Sequence, residues 1–182
     1  MQLPSIGFIC GSLRTGSINA KLTQALAARV EAAGARVRHL DLGSYDLPIF
    51  HGDLNTPEGV GRLKSDMLSC DGLIIVTPEY NGSLPPLLKN AIDWVSTTGT
   101  EQFTQPIYGI ASCTPGPMSG IMVLRELNYI LNRIGAEVVL PHVGTNAASD
   151  NVDEKDILSG ASSIERANEM IAKLLERITI KG

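Results

Sequence analysis

Ser12, Arg14, Ser17 and Asn19 stand close together in the stretch Gly11-Ser12-Leu13-Arg14-Thr15-Gly16-Ser17-Ile18-Asn19, just where an apolar run ends and a helical period begins. Hydroxyls, an amide and a guanidinium all donate hydrogen bonds. Glycines let the backbone turn tightly, and a helix start adds unpaired N–H groups with partial positive charge, so the segment is equipped to hold a phosphate. Ser and Gly are also favoured at a capped helix start that has no ligand.

Spacing narrows the phosphate. Gly11 and Gly16 have the separation of a Walker A loop, but Ser17 stands in place of its lysine, so a triphosphate would lose its main countercharge. The glycines at 7, 11 and 16 also miss the Gly-x-Gly-x-x-Gly dinucleotide fingerprint. A terminal monophosphate remains, with Ser12, Ser17 and Asn19 as neutral donors and Arg14 as a charged one.

Two later segments could complete a site. In Thr77-Pro78-Glu79-Tyr80-Asn81-Gly82-Ser83-Leu84-Pro85-Pro86, prolines stiffen a polar turn that precedes a helix. Backbone groups at Glu79 to Gly82 could bond a flat heterocycle, with Tyr80 near its face; a stiff loop without ligand is the alternative. Ser112-Cys113-Thr114-Pro115-Gly116-Pro117-Met118-Ser119-Gly120 would supply a third wall. No His or Asn is placed to activate Cys113 as a nucleophile. His39, His51 and His142 form no metal motif, and His39 and His142 read as structural or surface residues, so no metal is expected.

The elements that must position these loops alternate along the chain. Apolar runs at Ile6 to Cys10, Val37 to Leu40, Gly72 to Thr77, Ile107 to Ser112 and near Glu137 to Leu140 read as buried strands. Helical periods cover Asn19 to Ala33, Val60 to Ser69, Leu84 to Ser96, Met118 to Ile134 and Ser159 to Ile178. Such alternation predicts an α/β fold, with a five-stranded parallel sheet of order 2-1-3-4-5 and helices on both faces. Ligands of such sheets sit beyond the carboxyl ends of the strands where the winding reverses, which selects the loops after the first, third and fourth strands. The longest irregular stretches are Gly43 to Gly59 and Gly144 to Asp156.

The 182 residues, 43% hydrophobic, fit a single domain spanning residues 1–182. Cys10, Cys70 and Cys113 suggest neither a disulfide framework nor a zinc site, and point to a reducing compartment. There is no signal-like start and no long apolar span, so a cytoplasmic protein is expected. A net charge of −4 without a basic run argues against nucleic acid or an anionic membrane as partner.

The segment Gly11 to Asn19, together with Thr77 to Pro85 and Leu88-Lys89-Asn90-Ala91-Ile92-Asp93-Trp94, closely resembles the NADPH-dependent FMN reductase family, and the order and spacing hold from about Ile6 to Ile178. The resemblance implies a flavodoxin-like three-layer sandwich and bound FMN. It also implies ping-pong two-electron reduction of quinones, chromate, azo compounds or free flavin, with NADPH or NADH as co-substrate. Carried over, Ser12, Arg14, Ser17, Ile18 and Asn19 would surround the FMN phosphate; Pro78, Glu79, Tyr80, Asn81 and Gly82 would contact the isoalloxazine ring; Ser112 and Gly116 would line the third wall. The family often has paired glycines near the end of the third loop, where this chain has Ser119-Gly120. A homodimer or homotetramer is also implied, with Trp94 and the Met118 to Ile134 helix as candidate contacts.

The alternatives are an FMN electron carrier that does not oxidise nicotinamides, and a flavin-dependent redox sensor. A serine hydrolase using Ser12, with Asn81 or Gly82 as oxyanion donor, lacks a placed Ser–His–Asp/Glu set, since His142 has no Asp at the usual short spacing.

Overall fold

The computed structural model describes residues 3–148, 152–155, 157–158 and 160–181. Among them, β1 (Ser5–Cys10), β2 (Arg36–Leu40), β3 (Gly72–Val76), β4 (Ile107–Thr114), β5 (Glu137–Val138) and β6 (Val143–Asn146) form one sheet. Its order is β2-β1-β3-β4-β5, with β6 also on β4, and all pairs are parallel. The helices are α1 (Ile18–Ala32), α2 (Glu58–Leu68), α3 (Pro86–Ser96), α4 (Glu101–Thr104), α5 (Ile121–Arg133) and α6 (Ala161–Lys181).

Alternation along β3 shows how the layers form. Leu73 and Ile75 point into a core with Leu63, Leu88, Trp94, Tyr108 and Leu127, under α2, α3 and α5. Ile74 and Val76 point the other way, to Ile6, Phe8, Leu22, Leu26 and Met170 under α1 and α6. A strand buried on both sides has no polar face, which is why its sequence is continuously apolar. The flavodoxin-like layering is therefore as expected.

Three details differ from expectation. The expected fifth strand is split: β5 pairs with β4 at Ile107 and Tyr108, and β6 pairs with it from Ala111 to Thr114. Pro141 lies between the two and has no N–H to give the ladder. Second, β2 is an edge strand in which only Leu40 is buried, so Val37 to Leu40 is not the two-sided buried strand its sequence suggested. Third, a 3-10 turn at Leu42–Tyr45 and the short α4 fall in segments read as irregular or left unassigned. Ser149 to Asn151 and Asp156 of the expected Gly144 to Asp156 loop, and Ser159 at the expected start of the last helix, lie outside the described residues.

Among the described residues no helix is long and apolar enough to cross a membrane. Trp94, expected as a packing or contact residue, is 1% exposed. Its indole N–H donates to Pro48 O at 2.6 Å and its ring meets Phe50 edge-on at 5.0 Å. It is a core residue and presents no surface to a second subunit.

Candidate functional site

The loops after β1, β3 and β4 converge at the carboxyl edge of the sheet, where β1 and β3 lie side by side and the winding reverses. Between them lies a cleft of about 260 Å³. The first loop contributes Ser12, Arg14, Ser17, Ile18 and Asn19; the second adds Pro78, Glu79 and Tyr80; the third adds Cys113, Thr114 and Pro115.

In the first loop Ser17 caps α1: its hydroxyl oxygen accepts from Asn19 N at 3.2 Å and Ala20 N at 3.4 Å. Ser12 Oγ accepts from Arg14 N at 3.4 Å. Because both hydroxyl oxygens act as acceptors, each O–H is left to donate into the cleft. Among the described residues the backbone N–H groups of Thr15, Gly16 and Ile18 have no acceptor. Apart from its chain neighbours, no described atom lies within 4 Å of where a Gly16 side chain would begin, so that side of the loop is open. Unpaired N–H groups at the start of a 15-residue helix, with two free hydroxyl donors beside them, make a cradle that fits a phosphate.

Asn19 does a different task from the one its sequence position suggested. It is 2% exposed, its Nδ2 donates to Cys113 O at 2.9 Å and its Oδ1 accepts from Cys113 N at 2.9 Å. Both ends of the amide are engaged, so Asn19 ties the first loop to the third instead of presenting its amide to a ligand.

The second loop is a tight turn. Tyr80 and Ser83 exchange backbone hydrogen bonds at 3.0 and 3.1 Å, and Asn81 and Gly82 between them have φ of 53° and 79°. Two successive positive φ angles suit Asn-Gly and few other pairs. Tyr80, 48% exposed, stands at the mouth of the cleft. Asn81 and Gly82 form the exposed tip and do not line the cavity.

Two carboxylates fix this loop to α5. Glu79 Oε2 accepts from Met122 N and Val123 N, both at 3.1 Å, which places a negative charge at the helix N-terminus. Glu126 answers from α5, accepting from Ser83 Oγ at 3.0 Å and Leu84 N at 2.9 Å. Sequence reasoning did not single out Glu126, Thr114 or Pro115. A carboxylate on an amphipathic helix reads as a solvated face, and the other two stood inside a loop that was singled out without them.

The third loop corrects two expectations. Ser112 is fully buried, with its Oγ lying beneath Gly120, so it does not line the cleft. Gly116 is tied into the loop's own turn, its carbonyl accepting from Ser119 N and Thr114 Oγ1, and is likewise absent from the lining. Ser119 has φ of 52° and Gly120 has 73°, two successive left-handed residues of which one is serine.

Cys113 is 1% exposed, and burial pushes its thiol up to about 12. A nucleophile must be a thiolate, and burial holds Cys113 in the thiol form. Cys70 is buried with its thiol also pushed up, and Cys10 is raised by burial but partly accessible. With iodoacetamide at pH 8, the native protein should take up label slowly at Cys10 and none at Cys70 or Cys113, as read by mass spectrometry; rapid label on Cys113 would reopen the nucleophile reading. Among the described residues no group of three or more His, Cys, Asp or Glu could hold a metal ion.

Residues 4–150 match the NADPH-dependent FMN reductase family. A 2-hydroxy-1,4-benzoquinone reductase from a Burkholderia species is 41% identical over 93 residues, covering 50% of this chain and 49% of that protein. Quinone reductase from Escherichia coli K12 is 33% identical over 135 residues, covering 72% of this chain and 71% of its own. The matched stretch thus spans about half of the first relative. Among solved structures, the flavoenzyme NAD(P)H:(acceptor) oxidoreductase FerB from Paracoccus denitrificans superposes with a TM-score of 0.77 at 25% identity, covering 99% of this chain and 100% of that one.

Proposed function

The chain belongs to the NADPH-dependent FMN reductase family, and on that footing we propose that it is an FMN-dependent NAD(P)H oxidoreductase that reduces quinones and related small acceptors. The phosphate-sized cradle at the start of α1, opening into a cleft walled by the second and third loops, is the observation that carries this reading. FMN, when bound, supplies the two-electron chemistry between a nicotinamide and the acceptor, as the cofactor does in enzymes of this kind.

The chain's own residues bind and orient. Ser12 and Ser17 donate their hydroxyls to the phosphate, the N–H groups of Thr15, Gly16 and Ile18 surround it, and Arg14 adds positive charge. Backbone groups of Pro78 and Glu79 would hold one edge of the ring system, and Tyr80 would limit one side of it. Asn19, Glu79 and Glu126 position the three loops by the hydrogen bonds described above. Among the described cleft-lining residues Glu79 is the one carboxylate, and its bonds to α5 give it a structural task.

Residues 1–182 then act as one FMN-binding domain. The free thiols of Cys10, Cys70 and Cys113 suit a reducing cytoplasm. A homo-oligomer would use the exposed α5 stripe of Met122 and Tyr129, which are 48% and 68% exposed. An electron carrier or a redox sensor would hold FMN equally well and differ in its response to nicotinamide. Mixed with NADPH or NADH without oxygen, the FMN-loaded protein should lose its visible flavin absorbance rapidly and regain it when a benzoquinone is added. Slow bleaching with either nicotinamide would favour the carrier.

A further inference from the structure

A second cavity, of about 470 Å³, opens beside the third loop and shares no lining residue with the cleft. Small-molecule sites commonly run from about 300 to 1,000 Å³. Local packing explains where it is. Gly144 on β6 lets the third loop sit close, since a Cβ there would come within 2.7 Å of the Ser119 carbonyl oxygen. The Met118 end of that loop, the first turns of α5 and the link between β5 and β6 then surround a hollow that Arg166 of α6 helps to line.

Three groups in this hollow have no partner among the described residues. Arg125 and Arg166 both line it, and neither has a carboxylate within ion-pair distance among the described residues. Nearby acids are engaged elsewhere: Glu126 with Ser83 and Leu84, and Glu169 with Lys173. The third group is His142, whose Nε2 is buried without a hydrogen-bond partner among the described residues. Burial pushes the His142 pKa down, so the ring is neutral at pH 7 and its buried nitrogen can pair with a hydroxyl.

The remaining wall is largely apolar, with Met118, Leu124, Leu140 and Pro141. Arg125 and Arg166 are exposed at the rim, so in a chain of net charge −4 they set a local positive field beside an apolar hollow, which favours an anion that also has an apolar body. Guanidinium forks match a carboxylate in two-point geometry, and a methionine thioether packs well against aromatic rings. A buried polar atom with no partner is uncommon in a folded protein and calls for one.

We propose that this second cavity binds an aromatic carboxylate, with Arg125 and Arg166 holding the carboxylate, Met118, Leu124, Leu140 and Pro141 packing the ring, and His142 Nε2 pairing with a ring hydroxyl. The site differs in ligand and in lining from the flavin cleft. It also leaves the neighbouring α5 stripe of Met122 and Tyr129 free for a second subunit.

The test is calorimetric titration of the full chain, saturated with FMN, with 6-hydroxy-2-naphthoate and with 2-naphthol. The naphthoate should bind saturably at one site per chain, and 2-naphthol, which lacks the carboxylate, at least tenfold more weakly. Arg125→Gln and Arg166→Gln should each weaken the naphthoate at least tenfold while FMN affinity, which also reports correct folding, stays unchanged. Absence of saturable binding, equal affinity for 2-naphthol, unchanged affinity in both arginine variants, or displacement of FMN by the naphthoate would each overturn the proposal.

Discussion

Asn19→Leu is expected to lower the unfolding free energy by about 2–6 kcal/mol and to weaken FMN binding at least tenfold. Leucine is similar in size but removes both 2.9 Å hydrogen bonds to Cys113, leaving a buried N–H and a buried C=O unpaired. An unsatisfied buried polar group costs about 1–3 kcal/mol, and a chain of this length loses roughly 2–4 °C of Tm per kcal/mol. The loss of FMN affinity has a separate origin. The Asn19 amide spans 94 positions of sequence and ties the phosphate loop directly to the third wall, so cutting it loosens two sides of the cleft from each other. Asn19→Asp keeps the acceptor for Cys113 N but sets a negative carboxylate against Cys113 O, so it should restore little. Thermal melts and FMN titrations of both variants decide the matter, and a wild-type profile for Asn19→Leu would show that the tie is unimportant.

Gly120→Ala should be nearly as damaging. Gly120 has φ of 73°, and a Cβ there would overlap Ser112 Oγ and lie 2.6 Å from Ser112 Cβ. The left-handed backbone costs a side-chain-bearing residue about 1–2 kcal/mol and overpacking a further 1–3, so a loss of about 2–5 kcal/mol is expected. Ser112→Ala, by contrast, removes a buried hydroxyl that has no partner among the described residues. It should leave stability within about 1 kcal/mol of wild type and FMN affinity unchanged. Combined with Gly120→Ala it should recover part of the loss, because the nearest overlapping atom is gone while Ser112 Cβ remains. Urea unfolding of the two single variants and the double variant measures this coupling. A fall in FMN affinity for Ser112→Ala would return that residue to the cleft.

What the chain makes legible follows from periodicity and turn chemistry. β1, β3 and β4 are buried on both faces and announce themselves as apolar runs, and α5 shows its buried face in Val123, Leu124, Leu127 and Leu131. The Asn81-Gly82 turn is equally local, because its φ angles belong to those residue types. β6 escaped notice because Pro141 breaks the run and Gly144, Thr145 and Asn146 are not apolar. Single-turn α4 is too short to show a period.

The site was legible as three loops but not in its internal bonding. Ser12, Arg14, Ser17, Ile18, Pro78, Glu79 and Tyr80 are brought together at the cleft. Asn19 and Ser112 have donor-type side chains that sequence alone would send to a ligand; folding sends one to a backbone 94 positions away and buries the other beneath a glycine. Pairings such as Glu79 with Met122 and Val123 arise from sheet topology, which brings distant loops to one edge and leaves no mark in local spacing.

The most direct test of the central claim, that the start of α1 holds the phosphate of a bound FMN, is a fluorescence-quenching titration of flavin-free protein with FMN and with riboflavin under the same conditions. The ring is identical in the two ligands, so the difference isolates the phosphate. FMN should bind at least a hundredfold more tightly, a difference of about 2.7 kcal/mol, and a Ser12→Ala/Ser17→Ala double variant should shrink the gap while leaving riboflavin affinity unchanged. Equal affinities for FMN and riboflavin, or failure of FMN to bind, would contradict the account.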